Sequence, residues 1–177
     1  EQQTHATLRL VDNFVQLARA ESAPLRKHPC LLDDLVQDCC DQRWSQAAQR
    51  RITLRFDPSD HEDTIDIDIE LMRRAIGNLL DNAIQYSFEG TEVRCVIERD
   101  ASAWRIHVQD AGPGIGPDQI PHLFTRFWRA AGDGKKPAGN GLGLAFVQAV
   151  AQRHGGQASC ASEPGRGSRF SIHLPPP

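Results

Sequence analysis

The segment from Leu71 to Ser87 constrains the fold most. Leu71, Met72, Ala75, Ile76, Leu79, Leu80, Ala83 and Ile84 recur at helical spacing, so the segment needs a sheet or helix against its apolar stripe. Asn78 and Asn82 are i, i+4 neighbours, and their amides project the same way from successive turns. A helix interior gains nothing from Asn, whose side chain competes for backbone hydrogen bonds. Two of them flanking Leu79-Leu80 suggest a shared polar task. Amide oxygens can complete the shell of a hard cation such as Mg²⁺ while phosphates supply the rest. The plain alternative is a solvated polar edge of an amphipathic helix.

At 177 residues the chain is long enough to bury one sizeable core around that helix. A net charge of −3 and a pI near 6.2 provide no electrostatic footprint for nucleic acid or an anionic membrane. With 40% apolar residues and a mean hydropathy of −0.46 the chain reads as globular, and no window approaches the ~20 apolar residues of a span. The amino end lacks the basic and apolar regions of a signal peptide. Cys30, Cys39, Cys40, Cys95 and Cys160 form no C-x-x-C pair and read as small buried hydrophobes in a reducing compartment, with the cytoplasm as default.

In chain order, residues 2–21 carry a broad amphipathic stripe: Leu8, Val11, Val15 and Ala18, widened by Leu10, Phe14 and Leu17. A terminal helix of this kind needs a partner, either in a helical hairpin or dimer or on its own domain. Pro24 ends it. A second helix is expected from Leu31 to Arg51, with Leu32, Leu35, Val36, Cys39, Trp44 and Ala47 inward. Strands follow at 52–56 and 64–68, and Asp68 is placed to N-cap the Asn78 helix. Two more strands are expected at 92–99 and 104–109, then a helix from Leu142 to His154 stopped by Gly155-Gly156, and strands at 158–162 and 169–174. Strict βαβ alternation is missing, so a sheet with helices layered on one face fits better than a doubly wound fold.

Two glycine motifs flank the later elements. Asp110-Ala111-Gly112-Pro113-Gly114-Ile115-Gly116 follows an apolar strand, and a carboxylate there can accept a hydrogen bond from an exocyclic amine such as that of adenine. Its glycines let a ligand lie against bare backbone; a tight turn capped by Asp is the alternative. Gly139-Asn140-Gly141-Leu142-Gly143-Leu144 opens the last helix, whose free amides form a ready phosphate site, or else merely cap a loop. Leu123-Phe124-Thr125-Arg126-Phe127-Trp128-Arg129 and the Gly-, Lys- and Ala-rich residues 130–138 have the composition of a lid over phosphates, or of a plain surface loop. G-x-G-x-x-G fails because Pro117 stands three after Gly114 and Leu144 three after Gly141, and the Walker pattern fails at Gly134-Lys135-Lys136.

Taken together, these stretches resemble the catalytic ATP-binding domain of sensor histidine kinases, within the gyrase, chaperone, histidine kinase and MutL ATPase superfamily. Residues 78–87 look like the N box, 110–116 the G1 box, 123–129 the F box and 139–144 the G2 box, with a last glycine motif at Gly165-Arg166-Gly167-Ser168-Arg169-Phe170. The resemblance covers roughly residues 31–174, and the order of five motifs makes it specific although each is weak alone. It implies a two-layer α/β (α+β) sandwich, a mixed and mostly antiparallel sheet covered by helices on one face. Residues 1–22 would then be the second helix of a dimerisation hairpin and 23–177 the catalytic domain. ATP and Mg²⁺ are the implied cofactors. Asn78 and Asn82 would hold the metal and phosphates, Tyr86 would pack against the base, and Asp110 would bond the adenine amine. Gly112, Gly114, Ile115 and Gly116 would let the nucleotide approach, beside Phe127. Gly139, Gly141, Leu142, Gly143 and Leu144 would offer amides to the phosphate chain, and Ser168 would support adenine. Asn78 and Arg129 are the expected catalytic residues, Arg129 reaching the terminal phosphate.

The sequence departs from that pattern in two places. Gln85 stands where the family often has Lys, so one phosphate contact is weakened or is taken over by Lys135, Lys136 or Arg129, since a neutral amide cannot supply the charge. The phosphoacceptor is also missing: His61-Glu62 lies in an acidic loop, and His5 is followed by Ala6-Thr7-Leu8 rather than an acidic residue. The chain therefore reads as a piece cut just after the hairpin's first helix. The implied function is transfer of the ATP γ-phosphate to a hairpin histidine, for relay to a response regulator. The implied partners are the chain's own or a partner's hairpin and a receiver domain, in a full-length homodimer whose fragment could be monomeric. Neither nucleic acid nor direct membrane contact is expected, although the parent could be anchored in the inner membrane. The alternatives are a nucleotide-binding module without kinase output and a chaperone- or mismatch-repair-type clamp. The clamp needs a basic Glu one turn before the metal-binding Asn, where this chain has Asn78.

Overall fold

The structure, a computed structural model, describes residues 2–59, 62–129 and 139–176. Five strands form the main sheet: β2 (Thr53–Asp57), β4 (Glu92–Arg99), β5 (Trp104–Gln109), β6 (Gln157–Ser162) and β7 (Ser168–Leu174), in the order β2-β4-β5-β7-β6. Only β2 and β4 run parallel; every other pair is antiparallel. Alternation decides the faces: Val93, Cys95 and Ile97, then Trp104, Ile106 and Val108, then Phe170, Ile172 and Leu174 are buried on one side. Helices α4 (Ile69–Tyr86) and α5 (Gly143–Arg153) cover that side with Ile76, Leu80, Ile84, Val147 and Val150. The result is the two-layer sandwich expected from the sequence.

The start of α4 is set by its cap. Asp68 Oδ1 accepts from the Leu71 amide at 3.2 Å, and its Oδ2 accepts from the Arg26 amide at 3.0 Å. The Asp68 amide itself donates to His154 Nε2 at 2.9 Å, while His154 Nδ1 lies 2.7 Å from the Val150 carbonyl. One buried imidazole thus joins the start of α4 to the end of α5.

Three expectations need correction. The helix expected at 31–51 is two helices, α2 (Leu32–Asp41) and α3 (Trp44–Gln49). Arg43 leaves helical geometry between them at φ −107 and ψ 0, and its guanidinium turns onto α4, with Nε 2.8 Å from Asp81 Oδ1 and Nη1 3.3 Å from the Cys39 carbonyl. The break changes the phase, so Trp44, expected inward, is 61% exposed. The strand at the Ile65 position, β3 (Ile65–Asp68), lies outside the main sheet and pairs with β1 (Lys27–Cys30), a strand absent from the sequence reading. Four residues containing Pro29 carry too weak a strand signal to be read alone.

The first helix, α1 (Gln2–Ser22), buries apolar side chains on this domain in its last turns: Leu17 and Ala20 are buried, while Leu8, Val11, Phe14 and Val15 remain exposed. Arg153 of α5 anchors it by donating to the Ala20 carbonyl at 2.9 Å and the Ala23 carbonyl at 2.7 Å, and Arg126 pairs with Glu21. Among the described residues no helix is long and apolar enough to cross a membrane.

Candidate functional site

A cavity of about 580 Å³ opens between α4, the carboxyl end of β5, the start of β7 and the amino end of α5. Asn78, Asn82, Gln85 and Tyr86 reach it from α4, because helical spacing turns them away from the sheet-facing stripe. Asn78 Nδ2 donates to the Gly143 carbonyl at 3.2 Å, which orients the amide and leaves its oxygen available.

Asp110 is only 6% exposed, yet it lines the cavity. Its Oδ1 accepts from the Gly112 amide at 2.9 Å and from the Ser168 amide at 3.1 Å. Oδ2 is the atom left for a ligand. Burial pushes the carboxyl above its ordinary pKa, and the two amides act in the opposite direction. Beside it, Ser162 Oγ donates to the Gly167 carbonyl at 2.8 Å and accepts from the Ile115 amide at 2.8 Å. Its one proton being used, the 2.9 Å contact with Ser168 Oγ must be donated by Ser168. Ser168 therefore faces the cavity as an acceptor. A carboxylate oxygen and a hydroxyl lone pair side by side suit a ligand edge carrying N–H donors.

The glycines divide into two groups. Gly114, Gly139, Gly141 and Gly143 line the cavity, together with Ile115, Leu142 and Leu144. Gly112 and Gly116, expected at the ligand, lie outside the lining. A Cβ at Gly112 would sit 2.6 Å from the Tyr86 carbonyl, so the loop packs against the end of α4 only without a side chain there, and one at Gly116 would lie 2.7 Å from Asp118 Oδ1. Gly141 adopts φ +72, and a Cβ there would lie 2.7 Å from the Phe127 carbonyl carbon.

Phe127 is likewise outside the lining and 54% exposed; its backbone, at φ 63, donates to the Gly141 carbonyl at 2.9 Å. Leu123 and Trp128 supply the apolar wall instead, with Trp128 stacked on His122 at 6.3 Å between ring centroids. Arg129 lines the cavity at its exposed rim. Lys135, Lys136 and the remainder of the expected lid lie outside the described residues.

Sequence reasoning missed Arg50, Arg74, Asn13 and Phe146, all of which line the cavity. Arg74 is held over the Phe146 ring at 5.4 Å, donates to Asn13 Oδ1 at 3.1 Å and stands 3.6 Å from Asp12. No local signal marks these residues, since each reaches the cavity through helix packing. Among the described residues the lining holds three arginines against the single carboxylate Asp110, so its charge favours an anion.

Comparison with known proteins agrees with this geometry. The family described as histidine kinase-, DNA gyrase B- and HSP90-like ATPase matches residues 67–177. The sensor histidine kinase RppB of Synechocystis sp. is 35% identical over 178 residues, spanning 99% of this chain and 39% of that protein. A crystal structure of full-length ShkA in complex with AMPPNP superposes with a TM-score of 0.87 at 25% identity, over 98% of this chain and 36% of that one. The mycobacterial sensor histidine kinase MprB superposes with a TM-score of 0.71 at 26% identity, over 84% of this chain and 97% of the compared chain. The chain thus spans about two fifths of the curated relative RppB. It belongs to the histidine kinase-, DNA gyrase B- and HSP90-like ATPase family, as a catalytic ATP-binding domain of the sensor histidine kinase type.

Proposed function

We propose that this domain binds ATP with Mg²⁺ in the cavity and presents the γ-phosphate to a histidine on a dimerisation hairpin, for relay to an aspartate of a response regulator. The observation that carries the reading is one continuous cavity with two chemically different ends. At one end Asp110 Oδ2 and the Ser168 hydroxyl are placed to accept hydrogen bonds, which suits the amino group of adenine. At the other, Asn78, Asn82 and the amino end of α5 supply the amides and dipole that suit phosphates.

The residues fit the metal as well. Among the described residues no cluster of three or more His, Cys, Asp or Glu could hold an ion by itself. Two carboxamide oxygens on successive turns suit a cation that takes most of its ligands from phosphates and water. Bound there, Mg²⁺ supplies charge neutralisation at the phosphates. Asn78 is pre-set for this by its bond to Gly143, Tyr86 offers a ring to the base, and Arg129 places a cation at the rim. No base is needed within the domain, because the accepting nucleophile comes from the hairpin. We read α1 as the second helix of that hairpin, since its exposed Leu8, Val11, Phe14 and Val15 call for a helical partner. That partner belongs to the phosphoacceptor segment of the same or another chain in a homodimer.

A second reading, nucleotide binding without phosphoryl output, is favoured by one observation: Gln85, neutral, lines the cavity. Transfer of label from γ-labelled ATP to a supplied acceptor hairpin separates the two. Labelled histidine supports the kinase, and binding without label supports the module. No calorimetric heat with a non-hydrolysable ATP analogue would remove both.

A further inference from the structure

The four residues of α4 that line the cavity beyond Arg74, namely Asn78, Asn82, Gln85 and Tyr86, are all neutral. Arg50 comes to the same wall from the end of α3. Its Nη1 donates to the Gln85 carbonyl at 2.8 Å, and its side chain lines the cavity. Residue 85 lies three positions past Asn82, about 4.5 Å further along the helix axis. The neighbouring Arg51 is paired with Glu89, and Arg74 is engaged by Asp12, Asn13 and Phe146. Among the described residues Arg50 has no carboxylate partner, only the Gln85 carbonyl, which uses one of its five N–H donors.

We propose that Arg50 is a specificity-determining residue that binds the phosphate chain of the nucleotide, so that the cavity distinguishes polyphosphorylated ligands from the bare nucleoside. This rests on the nucleotide reading above. The Gln85 carbonyl fixes the guanidinium through one N–H, and its other N–H donors can meet phosphate oxygens with little further loss of side-chain freedom. Charge that α4 does not carry is thus delivered to its surface from a residue 35 positions earlier.

The test compares the unsubstituted chain with Arg50→Gln, which stays polar but loses the charge, and with Arg50→Lys, which retains the charge. Calorimetry with a non-hydrolysable ATP analogue and with adenosine, at low and high salt, is the readout. Arg50→Gln should weaken the analogue about five- to tenfold, leave adenosine unchanged and flatten the salt dependence. Arg50→Lys should recover most of the affinity. Unchanged analogue affinity in Arg50→Gln overturns the proposal, and so does an equal loss for adenosine, which would mark Arg50 as a packing residue of α4. If the unsubstituted chain binds analogue and adenosine equally, the phosphate subsite is refuted while the base subsite stands. If it binds neither, the nucleotide reading itself has failed.

Discussion

The Asn78 side chain donates to the Gly143 carbonyl across 3.2 Å, and this bond joins the helix carrying both carboxamides to the first residue of α5. Asn78→Asp removes the donor and sets a carboxylate against a carbonyl and the proposed phosphates. Nucleotide affinity should fall by more than tenfold, and stability should fall by about 1–2 kcal/mol from the lost hydrogen bond. Calorimetry and urea denaturation measure the two effects separately. Asn78→Ala should cost similar stability but less affinity, because it adds no repulsion.

Asp110→Asn is near-isosteric and separates charge from shape. Its oxygen can still accept from the Gly112 and Ser168 amides, while an NH₂ replaces Oδ2 and opposes the donor edge of adenine. ATP affinity should fall roughly 10- to 100-fold. Thermal stability should hold or rise, since burial already pushes this carboxyl above its ordinary pKa and the amide removes that burden. Loss of both fold and binding would mean that Asp110 is structural.

The imidazole of His154 accepts from the Asp68 amide, and burial lowers its pKa in the folded state. The unfolded chain therefore binds the proton more readily. Stability from this group is complete above the unfolded value of about 6.5 and declines as pH falls from there towards the folded value. His107 and His173, also lowered by burial, act in the same direction. Urea midpoints measured between pH 7.5 and 5 should fall, and His154→Gln should show a shallower fall because its share of the proton uptake is gone.

Leu17 is 1% exposed where α1 meets α5, whereas the preceding turns of α1 lack such cover. Leu17→Ala should cost about 2–3 kcal/mol, spent on loosening α1 rather than on unfolding the sheet. Hydrogen exchange should show faster exchange throughout α1, with β4, β5 and β7 unchanged. Equal acceleration in all four elements would refute the view that α1 is a separately docked segment.

Much of the sandwich was legible because it depends on local periodicities. The alternation in β4, β5 and β7, the apolar stripe of α4, Asp68 as its cap and Gly155 after α5 all appear in the sequence at the positions where the structure shows them. The cavity was legible in its α4 amides, Asp110, Ser168 and the 139–144 loop, since those residue types have few structural uses at such spacings.

Other features depended on contacts between distant residues. The break between α2 and α3 follows from Arg43 reaching Asp81, and the pairing of β1 with β3 sets Lys27 opposite Asp68. A Cβ at Gly112 would press on the Tyr86 carbonyl at the end of α4, a contact that only the assembled fold reveals. Arg50 joins the cavity because α3 ends beside the last turn of α4. By itself the sequence determined the long helices, the strands of the main sheet and which polar residues lie on one helical face, since those follow from periods of 3.6 and 2. Tertiary structure alone decided that Arg50 and Arg74 share the cavity with those residues, because charge acts through space and its partners need no fixed spacing along the chain.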